Sequence, residues 1–372
     1  MSAQSLHIVS FSIPWPPNFG GAIDIFYKLK ALNKLGVKIT FHCFTYTPEE
    51  TPELNKYCEK IYYYPIKTGF LNHLSPTPFI VRSRHNSLLL ERLTKDNYPI
   101  LFEGLHTTSF LGHPALKDRQ QWVRTHNIEH DYYNSLSRAE GLIHKKLFLK
   151  FEAWKLKQFS AHLSTATGIM AISQRDASIL KNSIDSTYLI PAFHGYSQVS
   201  SKTGKGDYIL YHGDLSVPEN SRSAEIMIDT CKELPFHLVI AGKSPDNHLK
   251  NLIKQHHSAE IIENPDTEKM EELICNAGVI LLPAKQTTGL RLKLLISLFT
   301  GRHCIASPQI VKDTGLEKLC HIAVDKDEWQ QTIKLCMNTP FTAHHKEQRQ
   351  EPLKNYLDIA NAGEIKKLIF KE

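Results

Sequence analysis

The 372-residue sequence contains no CxxC pair, and its seven cysteines (43, 58, 231, 275, 304, 320 and 336) are odd in number and scattered. A disulfide framework or a cysteine zinc site needs paired spacing, so reduced thiols in a cytoplasmic protein are expected. Long apolar runs are missing too, since no window approaches the ~20 residues needed to cross a bilayer. The start lacks a basic segment leading into an apolar stretch, and Pro14, Pro16 and Pro17 break what apolar character follows, which reads poorly as a signal peptide. One-sided charge is scarce: 44 Lys and Arg against 38 Asp and Glu leave a formal +6. So small an excess suits a phosphate-bearing ligand or an anionic surface, and does not imply nucleic acid.

What is present is ordinary globular composition, 41% hydrophobic and 22% charged, in a chain long enough for two domains. An apolar run at 6–10 reads as a buried strand. Helical spacing of Ile25, Leu29 and Leu32 predicts a helix over about 21–35, stopped by Gly36, and 37–44 reads as the next strand. Strand, glycine loop, helix and strand make a βαβ unit, hence a parallel sheet. Further strands are expected at 60–64, 100–103, 121–124, 169–173 and 187–190. The polar, glycine-containing stretch 193–206 is the best linker. Beyond it the alternation restarts, with strands near 208–212, 236–241, 260–262, 278–282 and 304–306 and helices near 221–231, 247–255, 266–276 and 289–299.

The expected domains are therefore 1–195 and 206–350, with a helix in 351–372 crossing back to the first. In open parallel sheets ligands bind beyond the carboxyl ends of the strands. With two such halves facing each other, the expected site is the cleft between them.

Three features suit a phosphate ligand. Gly20 and Gly21 sit between the first strand and first helix, where backbone can approach a ligand and helix-start amides are free. Gln286, Thr287, Thr288 and Gly289 follow a strand and open the helix that begins Leu290, Arg291, Leu292, Lys293. Gly242-Lys243 places another cation at a strand's carboxyl end. The bland reading of each is a tight turn, a capped helix or a solvated lysine.

In order along nearly the whole chain, Asn18-Phe19-Gly20-Gly21, Tyr211-His212-Gly213-Asp214-Leu215, Ala241-Gly242-Lys243 and Thr288 to Leu295 with Gly301 resemble family 4 retaining glycosyltransferases. The block Arg124 to Tyr133 resembles a subgroup found in bacterial surface-polysaccharide gene sets. The resemblance implies the α/β GT-B fold, two facing Rossmann-like domains with the acceptor mainly on the first and a nucleotide-sugar mainly on the second. It also implies a hexosyltransferase that retains anomeric configuration, with no cofactor and no metal.

The resemblance implies His106 beside the donor sugar, Lys243, Lys293 and Arg291 on the leaving diphosphate, and Gly20, Gly21, Gly213, Asp214, Gly242, Gln286, Thr287, Thr288, Gly289 and Leu290 around the donor. Arg124, His126, Asn127 and Glu129 are acceptor-side candidates, with Asn127 read as a helix cap. Family members often carry two glutamates where this chain has Gln286 and Ile296, and isoleucine cannot hydrogen-bond a ribose hydroxyl. Expected partners are a nucleotide-sugar and a saccharide or lipid-linked acceptor, with no nucleic acid.

Other readings stand beside this one. His126, Glu129 and His130 match H-x-x-E-H, a zinc-hydrolase pattern, but the block directly follows a strand instead of lying within a helix. A glycosyltransferase-like binding protein without activity is the second, hinted at by Ile296. In the basic helix 144–157, Ile143, Leu147, Phe151 and Trp154 share one face. The first expectation is that this face packs on its own domain. The other is docking on the inner face of an anionic membrane, aided by Arg82, Arg84 and His85.

Overall fold

The computed structural model describes residues 4–47, 50–69, 75–284 and 292–371. The chain divides into two compact units. One runs to Phe193 and takes in the residues from Asp358 onward, and the other is His194–Leu357.

The first unit carries strands β1 (Ser5–Ser10), β2 (Lys38–Thr45), β3 (Lys60–Pro65), β4 (Ile100–Glu103), β5 (Gln121–Thr125), β6 (Gly168–Ala171) and β7 (Thr187–Leu189). They form one parallel sheet in the order β3-β2-β1-β4-β5-β6-β7. Its helices are α1 (Gly20–Lys34), α2 (Phe79–Arg82), α3 (Ser87–Leu93), α4 (Glu129–Ala139), α5 (Ile143–Ser160) and α6 (Gln174–Lys181). Such a sheet is covered on both faces, which is why β4 and β5 are buried at every residue.

The second unit holds β8 (Ile209–Asp214), α7 (Pro218–Cys231), β9 (Leu238–Lys243), α8 (Asn247–Lys254), β10 (Ala259–Glu263), α9 (Thr267–Asn276) and β11 (Val279–Leu282). After these come α10 (Leu292–Thr300), β12 (His303–Ala306), α11 (Pro308–Val311), β13 (His321–Ile322), α12 (Lys326–Asn338) and α13 (Ala343–Leu353). The sheet order is β10-β9-β8-β11-β12-β13, again parallel. Both sheets thus reverse direction at their first strand, between β1 and β4 and between β8 and β11. These are the points where ligands enter doubly wound sheets.

The last helix, α14 (Asp358–Phe370), belongs to the first unit, where Ala362, Ile365 and Ile369 join Leu6, Ile8, Ile25, Leu29 and Phe41 in one core. Each of these leucine, isoleucine and phenylalanine side chains contributes about 1.5–3 kcal/mol on burial. Gly36, at φ +79°, ends α1 where an L side chain would be strained. The segment read as a linker is not loose along its length: Ser200 donates its N–H to the Phe299 carbonyl, and Gly204 bridges Phe341.

Candidate functional site

At the reversal point of the first sheet, a set of charges lies wholly inside the protein. Asp24 and Lys28 are one turn apart on the apolar face of α1. Lys28 Nζ lies 3.0 Å from Asp24 Oδ2 and 2.7 Å from Glu103 Oε1, at the end of β4. Arg124 of β5 donates from Nε and Nη2 to the two Asp24 oxygens at 2.8 and 2.7 Å. Its remaining N–H groups reach the carbonyls of Ile190 and Pro191. Burial opposes ionisation of Asp24, but the adjacent Arg124 and Lys28 charges hold its carboxyl well below the usual range. Removing any one member would leave a buried charge without its counter-charge, so the set fixes β4, β5 and α1 together.

This corrects the reading of Arg124. Fully buried and bound on both edges, it is scaffold and cannot touch an acceptor. His126 follows β5 with its Nε2 3.0 Å from Glu103 Oε2, also turned toward the scaffold. Asn127 is not the helix cap: α4 begins at Glu129 behind Ile128, which makes no side-chain cap bond. His126, Glu129 and His130 do not converge either. Among the described residues, no cluster of three metal-capable donors contains Glu129 or His130. Although Asp24, Glu103 and His126 lie close enough to suggest a metal, Lys28 and Arg124 already neutralise both carboxylates.

Above this floor stands His106, in the 3-10 turn Leu105–Phe110 after β4. Its ring lies tilted against Phe11, centroids 4.9 Å apart, and it is 20% exposed. Nδ1 is buried without a hydrogen-bond partner. Two glycines shape this corner. A Cβ on Gly104 (φ +67°) would stand 2.9 Å from His106 Nδ1, and one on Gly21 would stand 2.7 Å from Phe11 Cζ. Burial, with the nearby Arg84 and His126 charges, holds His106 well below its ordinary pKa, so it is neutral at pH 7.

Glu129 Oε1 lies 4.0 Å from His106 Nδ1. Burial and the Asp176 carboxylate push Glu129 up to about 8, which makes it a protonated carboxyl at neutral pH. Gly20 and Gly21 open α1 with no side-chain cap and no acidic residue in the first turn, leaving helix-start N–H groups for a ligand.

The second unit is built differently. At the end of β8, His212 is buried, 3.3 Å from Ser297 Oγ of α10, and burial with the Lys293 charge lowers its pKa to about 3. Lys293 Nζ sits 5.4 Å above the Tyr211 ring. Gly242 pairs with Gly213 across β8 and β9, and a Cβ there would come within 1.9 Å of the Gly213 carbonyl oxygen. Its glycine is therefore required by strand packing. Asp214 accepts from the Ser216 N–H and hydroxyl, a turn-forming role that leaves it little freedom for a ligand. Lys243 is exposed at the end of β9. Ile296 packs against the unit's apolar core. Gln286, Thr287, Thr288, Gly289, Leu290 and Arg291 lie outside the described residues.

Sequence reading missed Asp24, Lys28, Glu103, Phe11 and His212. Asp24 and Lys28 did leave a signal, two charges on the same helix face as Ile25, Leu29 and Leu32.

Residues 206–338, most of the second unit, match the family described as "Glycosyl transferases group 1". Across the whole chain, the lipopolysaccharide outer core galactosyltransferase WaaB is similar at 12% identity, TM-score 0.65 and 99% coverage of each chain. A glycosyltransferase from Rickettsia africae gives 14%, 0.62 and 100% of both chains. The fold is GT-B. A 44.6 kDa protein of the cps region of Klebsiella pneumoniae, described as uncharacterized, is 24% identical over 346 residues, covering 86% of this chain and 87% of that one. The matched span supports a glycosyltransferase domain in the second unit. No described helix is long and apolar enough to cross a membrane.

Proposed function

We propose that the chain is a retaining glycosyltransferase moving a hexosyl group from a nucleoside-diphosphate sugar to a saccharide or lipid-linked acceptor in surface polysaccharide synthesis. The observation that carries this reading is the end of β8 in the family-matched span, where Lys293 stands over Tyr211 and its charge lowers the pKa of buried His212.

In the reaction the bond from the anomeric carbon to the diphosphate oxygen breaks, and a bond from that carbon to the acceptor oxygen forms on the same face. The acceptor proton passes to a phosphate oxygen, so no enzyme carboxylate need act as nucleophile. Negative charge grows on the diphosphate, and a positioned donor facing such charge contributes about 2.7–4 kcal/mol. Lys243 and Lys293 take this role, with Arg291 as third candidate. His106, neutral and partly exposed, offers a hydrogen bond to a sugar hydroxyl without adding a cation beside the developing positive carbon. Protonated Glu129 spares the same corner a negative charge.

The acceptor is taken from an anionic membrane surface. Instead of packing inward, the stripe Ile143, Leu147, Phe151 and Trp154 of α5 stands at 54–76% exposure. Exposed charges on that helix (Lys145, Lys150 and Lys157) are all positive, whereas Glu152 is buried against Lys155. Apolar side chains flanked by lysines suit an acidic lipid interface.

Screening purified protein against a panel of nucleotide-sugars for released nucleoside diphosphate tests the activity. Release with none of them, together with no calorimetric binding of any nucleoside diphosphate, defeats the proposal; binding without release favours a non-catalytic binding protein. Sedimentation with acidic vesicles tests the surface. Leu147→Ser/Trp154→Ser should abolish co-sedimentation, and equal binding to neutral vesicles would contradict the charge account.

A further inference from the structure

The second unit carries a group of soft donors at the end of its sheet opposite the β8 and β11 carboxyl ends. His303 opens β12, His321 opens β13, and Cys336 lies in the last turn of α12. Each offers one donor atom, and the three lie within 4.8 Å of one another. The two histidines also line a cavity of about 210 Å³, together with His345 and Arg349 among others. From this arrangement we infer that the chain binds one divalent transition metal ion of the zinc class through His303, His321 and Cys336, apart from the site proposed for sugar transfer.

Donor chemistry and surroundings agree. Two imidazoles and a thiolate are ligands that such ions prefer to magnesium or calcium. In a tetrahedral site with bonds of 2.0–2.3 Å, donor atoms stand roughly 3.3–3.8 Å apart. The three need to close by only about 1 Å from 4.8 Å to reach that spacing. His303 already has a second partner of the right kind, because its Nε2 lies 3.1 Å from the Thr339 carbonyl. Donating there fixes the tautomer and leaves Nδ1 with its lone pair for a metal, as outer partners of metal-bound histidines usually arrange. The fourth position faces the cavity and takes water. Binding releases the Cys336 thiol proton to solvent, and the resulting thiolate offsets part of the ion's charge.

Lys318 and Arg349 also line the cavity, and Arg349 is the buried one of the two. Its guanidinium is turned to the carbonyls of Leu298, Gly301 and Arg302 and to the Ser201 hydroxyl. The ion would tie α12 to β12 and to β13, a two-residue strand at the sheet's edge. Its role is accordingly structural.

The test uses the untagged full chain, freed of metal by chelator dialysis and titrated with Zn²⁺ in a calorimeter. One ion per chain is expected, with Tm raised by about 4 °C or more at saturation. Co²⁺ in place of Zn²⁺ should give a sulfur-to-metal absorption band that Cys336→Ser abolishes. His321 is exposed, so His321→Ala should fold, and it should weaken Zn²⁺ binding by more than the roughly 10–100-fold that loss of an outer partner costs. Absence of saturable one-to-one binding overturns the inference, as does unchanged affinity in His321→Ala. Should Cys336→Ser fail to fold, the His321→Ala titration still decides. Sugar-transfer activity enters none of these readouts.

Discussion

The two units share a strand order and differ in what they place at its reversal point. The first closes it with buried Asp24, Lys28, Glu103 and Arg124, opposite charges in mutual contact, and sets uncharged groups above them: neutral His106, protonated Glu129 and helix-start amides. The second puts Lys293 next to uncharged His212 and Tyr211. One scaffold thus carries uncharged groups above a closed set of ion pairs in one copy and a lysine among uncharged neighbours in the other, and the roles proposed for sugar and diphosphate rest on that difference. The difference lies in a few side chains at strand ends and needs no change of topology.

The comparison breaks most sharply at Asp24. Asp24→Ala leaves Arg124 buried without its carboxylate, Lys28 keeping only Glu103, and should cost about 3–5 kcal/mol in denaturant unfolding, with loss of the first unit's transition. Asp214→Ala, at the end of β8 in the second unit, removes a turn contact and should cost only about 0.5–1.5 kcal/mol. Equal losses would show that the first unit's charges are no more structural than the second's turn.

A smaller contrast separates two glycines on adjacent strands. Gly242→Ala drives a methyl group into the Gly213 carbonyl and should lower stability by about 1–3 kcal/mol, read from thermal melts. Gly213→Ala meets nothing closer than 3.5 Å and should be milder.

The gentlest test is pH. Glu129 is raised in the folded state, to about 8, so the stability it favours is full below about 4.5, where unfolded chains also hold the proton, and is lost as pH rises toward 8. Relative to wild type, Glu129→Gln should therefore gain stability over that window. His212, lowered to about 3, works in the other direction: its contribution is present above about 6.5 and is lost as pH falls toward 3. Against His212→Gln, wild type should lose Tm only on the acid side.

Much of the architecture was legible because parallel strands buried on both faces are written as short apolar runs, and those at 100–103 and 121–124 fall on β4 and β5. The two-residue β13 leaves no such run and escaped. The site was legible in part. Glycines and lysines at strand ends stand out by type, but Arg124 was misread because its partner Asp24 is 100 residues away in sequence. Exposure defeated sequence reading for α5 as well: spacing shows that Ile143, Leu147, Phe151 and Trp154 share a face, and cannot show whether that face is covered.

Release of nucleoside diphosphate by wild type, Lys293→Ala and His106→Ala, each with the best donor found, bears most directly on the central claim that one unit stabilises the departing diphosphate and the other reads the sugar. Lys293→Ala is expected to lower kcat by about 10²-fold or more, and His106→Ala to lower kcat/KM while the affinity for nucleoside diphosphate alone stays near wild type. Wild-type turnover in both variants would contradict it.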